Sequence, residues 1–180
     1  MSVKKAIGIA LLIVLVPPIF FGFFFSIPYI ASSHQPDPPR PEITYGEFPF
    51  RIEYEINGEM VVIEDAVICE FDGFQPDWGG GDKTRKWKVS FASGNKSHIF
   101  KISAYVLADE TNQVYFACGS GAYYMGDTRE YALRLHAYKA TKSFIGGWRF
   151  TDIEPDELLD AYGIRVISYE FSPPIVNSFK

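Results

Sequence analysis

Residues Ala6 to Ala31 carry no charged side chain, and Lys4 and Lys5 stand immediately before them. As a helix, such a run reaches about 39 Å at a rise of about 1.5 Å per residue, enough to cross a hydrocarbon core of about 30 Å with some tilt. The pattern predicts a cytoplasmic stub and a single transmembrane helix over residues 1–31, touching the lipid bilayer through residues 6–31. Pro17 and Pro18 would kink the span, which lipid tolerates when neighbouring groups satisfy the freed backbone. Tyr29 suits an interfacial position at the outer end.

A secretory signal peptide is the competing reading, since it too begins with positive charge and an apolar stretch. Its apolar core usually runs about 7–15 residues. The run here is longer and holds the bulky block Phe20, Phe21, Phe23, Phe24 and Phe25, although a cut after Ser33 would find Ala31 at a small-residue position. The expectation is an uncleaved anchor. Lys4 and Lys5 outnumber Arg40 across the span, which predicts the N-terminus in the cytoplasm and the chain beyond about Ser32 outside.

The net charge is −5, and without the two lysines of the anchor the remainder carries −7. An acidic domain is poorly suited to phosphate backbones, so no nucleic-acid partner is expected. Ser32 to Pro41 (SSHQPDPPRP) has four prolines and no apolar period, predicting an extended, semi-rigid spacer over residues 32–42. Roughly 140 residues follow, from 43 to 180, enough for one ordinary core.

That extracytoplasmic domain reads as mainly β. Phe50, Ile52, Tyr54 and Ile56 alternate with Arg51, Glu53 and Glu55, the period of a strand with one buried face. Asn57-Gly58 supplies the positive φ angles of a tight hairpin. The return strand, Met60 to Phe71, has continuous apolar triplets that predict burial on both faces, with a bulge or bend at Glu64-Asp65. Further strands are expected at Lys86 to Phe91, His98 to Leu107, Gln113 to Cys118, Leu133 to Lys139, Phe144 to Phe150 and Ile164 to Phe171. One helix should start at Pro155, pack through Leu158, Leu159 and Tyr162, and stop at Gly163. The fold class predicted is an antiparallel sandwich or open barrel with one short C-terminal helix, preceded by the membrane span.

Ile43 to Phe74 (ITYGEFPFRIEYEINGEMVVIEDAVICEFDGF) and Gly119 to Asp127 (GSGAYYMGD) resemble a group of uncharacterised short membrane-anchored proteins of Gram-positive bacteria. The resemblance implies a bacterial envelope location and carries no activity, ligand or catalytic residue.

Chemistry must be sought residue by residue. Cys69 and Cys118 fall in predicted strands, and either a disulfide closing a loop of about 50 residues or two buried thiols would fit. His34, His98 and His136 are scattered without ligand spacing, so no metal and no cofactor is expected. Gly119-Ser120-Gly121 lacks the surroundings of a nucleophile elbow and reads as a glycine-rich turn. Between Asp72 and Lys88, Asp72, Asp77 and Asp82 recur at spacings of five beside a glycine triplet, without the alternate ligands of a calcium loop. Lys83, Arg85, Lys86 and Lys88 surround Trp87, a pattern that suits anionic polymers or headgroups and equally a soluble strand edge.

The expected contact surface is Tyr123, Tyr124 and Met125, aromatic and apolar residues in a segment rich in glycine, with the Asp72 to Lys88 loop second. Exposure decides between such a strip and ordinary packing. The function expected is a binding or structural module of the cell envelope, whose partner is an envelope protein or polymer, with no catalytic residue assigned. The alternative is an envelope hydrolase using dispersed carboxylates such as Glu64, Asp65, Asp72 and Asp77.

Overall fold

The computed structural model describes residues 22, 26–27, 29–77, 81–94, 103–108, 112–128, 135–142 and 147–180. Most of the apolar run and His98 lie outside the described residues. Among the described residues, no helix is long and apolar enough to cross a membrane. The chain forms two compact units, Met1–Arg40 with Gly73–Lys86, and Pro41–Asp72 with Trp87–Lys180.

Among the described residues, eight strands make two antiparallel sheets. The first has the order β3-β2-β1-β8, from β1 (Tyr45–Ile56), β2 (Glu59–Gln75), β3 (Thr84–Phe91) and β8 (Ile164–Phe171). The second runs β4-β5-β6-β7, from β4 (Ser103–Ala108), β5 (Asn112–Ala117), β6 (His136–Lys142) and β7 (Trp148–Ile153). Asn57 and Gly58 both have positive φ, 53° and 86°, and Ile56 faces Glu59 across the turn they make. That is the geometry whose twist matches a two-residue hairpin.

One face of β1 points Phe48, Phe50, Ile52 and Tyr54 into the core, where they meet Val67 and Cys69 of β2 and Val114 and Phe116 of β5. Tyr54 and Phe116 join the two sheets edge to face, with centroids 5.5 Å apart. The arrangement is therefore sandwich-like: two separate sheets share one core. The second sheet buries its other face as well, where Tyr115 stacks on Tyr138 at 5.4 Å and Ala140 is enclosed.

Two expectations for the first sheet need correction. The β1–β2 ladder passes through Glu64 and Asp65 without a register shift, so no bulge lies there. The irregularity sits on the edge strand instead: Glu53 faces Ser168 and Tyr54 faces Val166, leaving Ile167 as the extra residue of a bulge in β8. β2 is not buried on both faces either, since Val62 is 46 % exposed opposite Glu53 and Ile68 is only half-buried opposite Glu47. The strand is central in its sheet, but the outer side of that sheet is lined with carboxylates that keep it wet.

Among the described residues, two helices lie between the strands. α1 (Gly121–Tyr124) is a single turn that follows β5, and α2 (Pro155–Tyr162) precedes β8. Pro155 opens α2, Asp156 and Glu157 sit in its first turn, and Gly163 ends it in the left-handed region with its N–H on the Leu159 carbonyl. Leu158 is buried and Tyr162 half-buried, whereas Leu159 is exposed. Leu158 and Tyr162 are four apart and share a stripe, while Leu159 is rotated about 100° away on a helix too short to bury a second one.

Candidate functional site

Ser120 has extended backbone geometry, and its hydroxyl accepts the Tyr123 N–H at 3.2 Å. This cap turns the expected glycine-rich loop into the helical turn α1. The turn rotates Tyr124 and Met125 into the core, both 0 % exposed, and leaves Tyr123 half-buried against it. Tyr124 stacks on Phe48, and its hydroxyl donates to the Cys118 carbonyl at 2.8 Å. A contiguous solvent-facing strip of Tyr123, Tyr124 and Met125 is therefore not what the chain presents. The glycines around it permit close packing: a Cβ on Gly121 would lie 2.7 Å from the Trp87 Cβ, and one on Gly46 would meet the Phe48 ring.

Of the Asp72 to Lys88 segment, residues 72–75 belong to the end of β2 and residues 84–88 to the start of β3. Its cations have local partners: Lys83 pairs with Asp37 at 2.8 Å, the Arg85 Nε donates to the Pro39 carbonyl at 2.7 Å, and Lys88 pairs with Glu70 at 2.9 Å. Among the described residues, no group of three His, Cys, Asp or Glu side chains is placed to hold a metal. Cys69 and Cys118 are free thiols, both fully buried, and burial pushes the Cys69 thiol up to about 12.

The surface with the most developed chemistry is the outer face of the first sheet. Register places Glu47, Arg51, Glu53 and Glu55 of β1 beside Met60, Val62 and Glu64 of β2 and Arg165, Ser168 and Glu170 of β8. Arg51 donates from Nε to Glu64 at 2.7 Å and also pairs with Glu53, and Arg165 pairs with Glu55 at 2.5 Å. The Glu53 carboxyl is held below its ordinary range, first by the Ser168 hydroxyl that donates to it and then by Arg51. Where the three strands meet the residues after β8, an open groove of about 450 Å³ is lined by Pro49, Arg51, Glu64, Asp65, Glu170 and Ser172, among others.

Two of the carboxylates considered for hydrolysis line this groove, and both are occupied. Glu64 is bound by Arg51, while Asp65 accepts the Ser93 hydroxyl at 2.5 Å and the backbone N–H groups of Ala66 and Ser93. Glu170 faces Arg51 across the ladder and makes no ion pair among the described residues. A groove of this kind can receive a cationic or hydrogen-bond-donating group from a partner. Alternation along β1 marked its outward residues in the sequence, but the neighbours from β8 lie more than a hundred positions away.

Comparison with protein-family models, with curated proteins and with solved structures finds no match to this chain.

Proposed function

We propose that the chain is a single-pass membrane protein with its N-terminus in the cytoplasm, whose β-domain is a binding or structural module on the outer side of the cell envelope. The uncharged run behind Lys4 and Lys5 carries this reading. Ile27 and Ile30, near the end of that run, are uncovered, as suits side chains that meet lipid. The resemblance to short membrane-anchored proteins of Gram-positive bacteria agrees with it.

Within this reading the outer face of the first sheet is the contact surface. Six glutamates, at positions 47, 53, 55, 64, 70 and 170, share that face with Arg51, Lys88 and Arg165, so it favours an envelope protein or polymer that brings positive charge or donors. Binding suits the groove better than hydrolysis, because Glu64 and Asp65 are already engaged. A photo-crosslinking residue at Glu170 in the full chain, in its native membrane, tests the surface against one at the exposed Leu159. Adducts from position 170 and not from 159 are expected; adducts from neither, or equally from both, would remove the groove as the contact.

A further inference from the structure

The proline-rich stretch after the apolar run is not free-standing. Within the unit formed by Met1–Arg40 and Gly73–Lys86, it is gripped by the β2–β3 arm at three points. The Asp77 N–H donates to the Ser32 hydroxyl at 2.8 Å, Lys83 pairs with Asp37 at 2.8 Å, and the Arg85 Nε donates to the Pro39 carbonyl at 2.7 Å. Ser32 is fully buried. Asp77 also accepts the Gly81 N–H, which steadies the arm's end.

The helix that closes the apolar run ends here. Residues 29–33 are helical, and the Ile30 carbonyl takes the Ser33 hydroxyl at 2.7 Å and lies 2.8 Å from the His34 Nδ1. Side chains thus satisfy a carbonyl that the helix end leaves over. Ser32 follows directly on Ala31, the last residue of the apolar run. As a straight helix, upright and centred, the apolar run would reach about 39 Å and pass the hydrocarbon core by about 4–5 Å at each end. A tilt of about 40°, or a kink at Pro17 and Pro18 that shortens it as much, would bring its end to the hydrocarbon boundary. In both cases Ser32 lies within the headgroup layer, which is about 5–7 Å deep on each side.

We propose that Asp77 and Gly81 to Lys83, in the β2–β3 arm, lie in the phospholipid headgroup layer, held there by bonds to the segment that leaves the membrane. This rests on the anchored reading above. The placement comes from geometry and not from attraction to anionic lipid: of the described charges in this unit, Lys83, Arg85, Lys86 and Arg40 stand against Asp37, Asp77 and Asp82, and Lys83 is committed to Asp37. The contact should therefore be nearly indifferent to the charge of the bilayer.

The test uses the full chain in phosphatidylcholine vesicles with a fluorophore on Asp82→Cys, an exposed position; the native cysteines are buried and escape labelling. Quenchers are placed in turn on the lipid headgroup, in mid-acyl chain and in the water. The headgroup quencher should act several-fold more strongly than either of the others, with little change when a minority of phosphatidylglycerol is added. Adding Lys83→Glu, which sets like charge against Asp37, should reduce that quenching. A label quenched best from water would overturn the placement, and quenching unmoved by Lys83→Glu would overturn the grip as its cause. Flotation of the labelled chain with the vesicles is read separately: a chain that does not float removes the anchored reading itself, and this inference with it.

Discussion

Tyr124 lies nearly flat against Phe48, with ring centroids 4.6 Å apart and planes 25° from parallel. The pair joins α1 to β1, tying the Gly119 to Asp127 segment to the first sheet. Burial holds the Tyr124 phenol well above its ordinary range, as expected for a hydroxyl that donates to a carbonyl inside the core.

Replacing Tyr124 by alanine should therefore cost about 3–5 kcal/mol of unfolding free energy, the usual toll of removing a buried aromatic ring. Tyr124→Phe should cost about 1 kcal/mol, since it keeps the stacking and loses only the bond to the Cys118 carbonyl. Tyr123→Ala should cost less than Tyr124→Ala, because Tyr123 is only half-buried. Denaturant midpoints of the three variants check the order, and a harmless Tyr124→Ala would contradict the packing described.

Gly126 has a φ of 67°, and a Cβ built on it would lie 2.5 Å from the Ile175 carbonyl oxygen. Beside it, Asn177 ties the C-terminal segment to the Met125 and Ile43 carbonyls. Gly126→Ala should destabilise by more than about 1 kcal/mol, combining an unfavourable backbone region with a clash against main chain. Gly58→Ala has a similar φ of 86° but open space around it, so it should be the milder of the two in thermal melts.

Burial raises both the Cys69 thiol, to about 12 from 9.0, and the Tyr124 phenol. Each folded pKa lies above its unfolded value, so the unfolded chain releases protons first as pH rises. Stability should be level between about pH 7 and 9 and decline above that, by about 1.4 kcal/mol per pH unit for each group titrating only when unfolded. Chemical denaturation from pH 7 to 11 measures this, and a flat profile would contradict it. At pH 8 neither cysteine should react with a thiol reagent until denaturant is added.

Much of the first sheet was legible because its signals are local. Alternation over Phe50 to Ile56, the Asn57-Gly58 turn, and the Pro155 and Gly163 ends of α2 each depend on a few adjacent residues, and the structure agrees with all of them. The missing bulge at Glu64-Asp65 shows the limit: the acidic pair fits an unbroken ladder, with Glu64 held by Arg51 and Asp65 by Ser93. Tyr124 and Met125 are buried where a surface strip is expected, because the Ser120 hydroxyl caps a helical turn that carries them inward and leaves Tyr123 half-buried. Lys83 and Asp37 are 46 positions apart, and no pattern along the chain pairs them.

The topology is tested most directly by adding protease to intact protoplasts that carry the full chain. The β-domain should be digested without lysis, leaving a membrane-retained fragment that contains the apolar run. A domain that survives in intact protoplasts and is cut only after lysis would contradict the N-inside orientation, and with it the account of an anchored module on the outer side of the membrane.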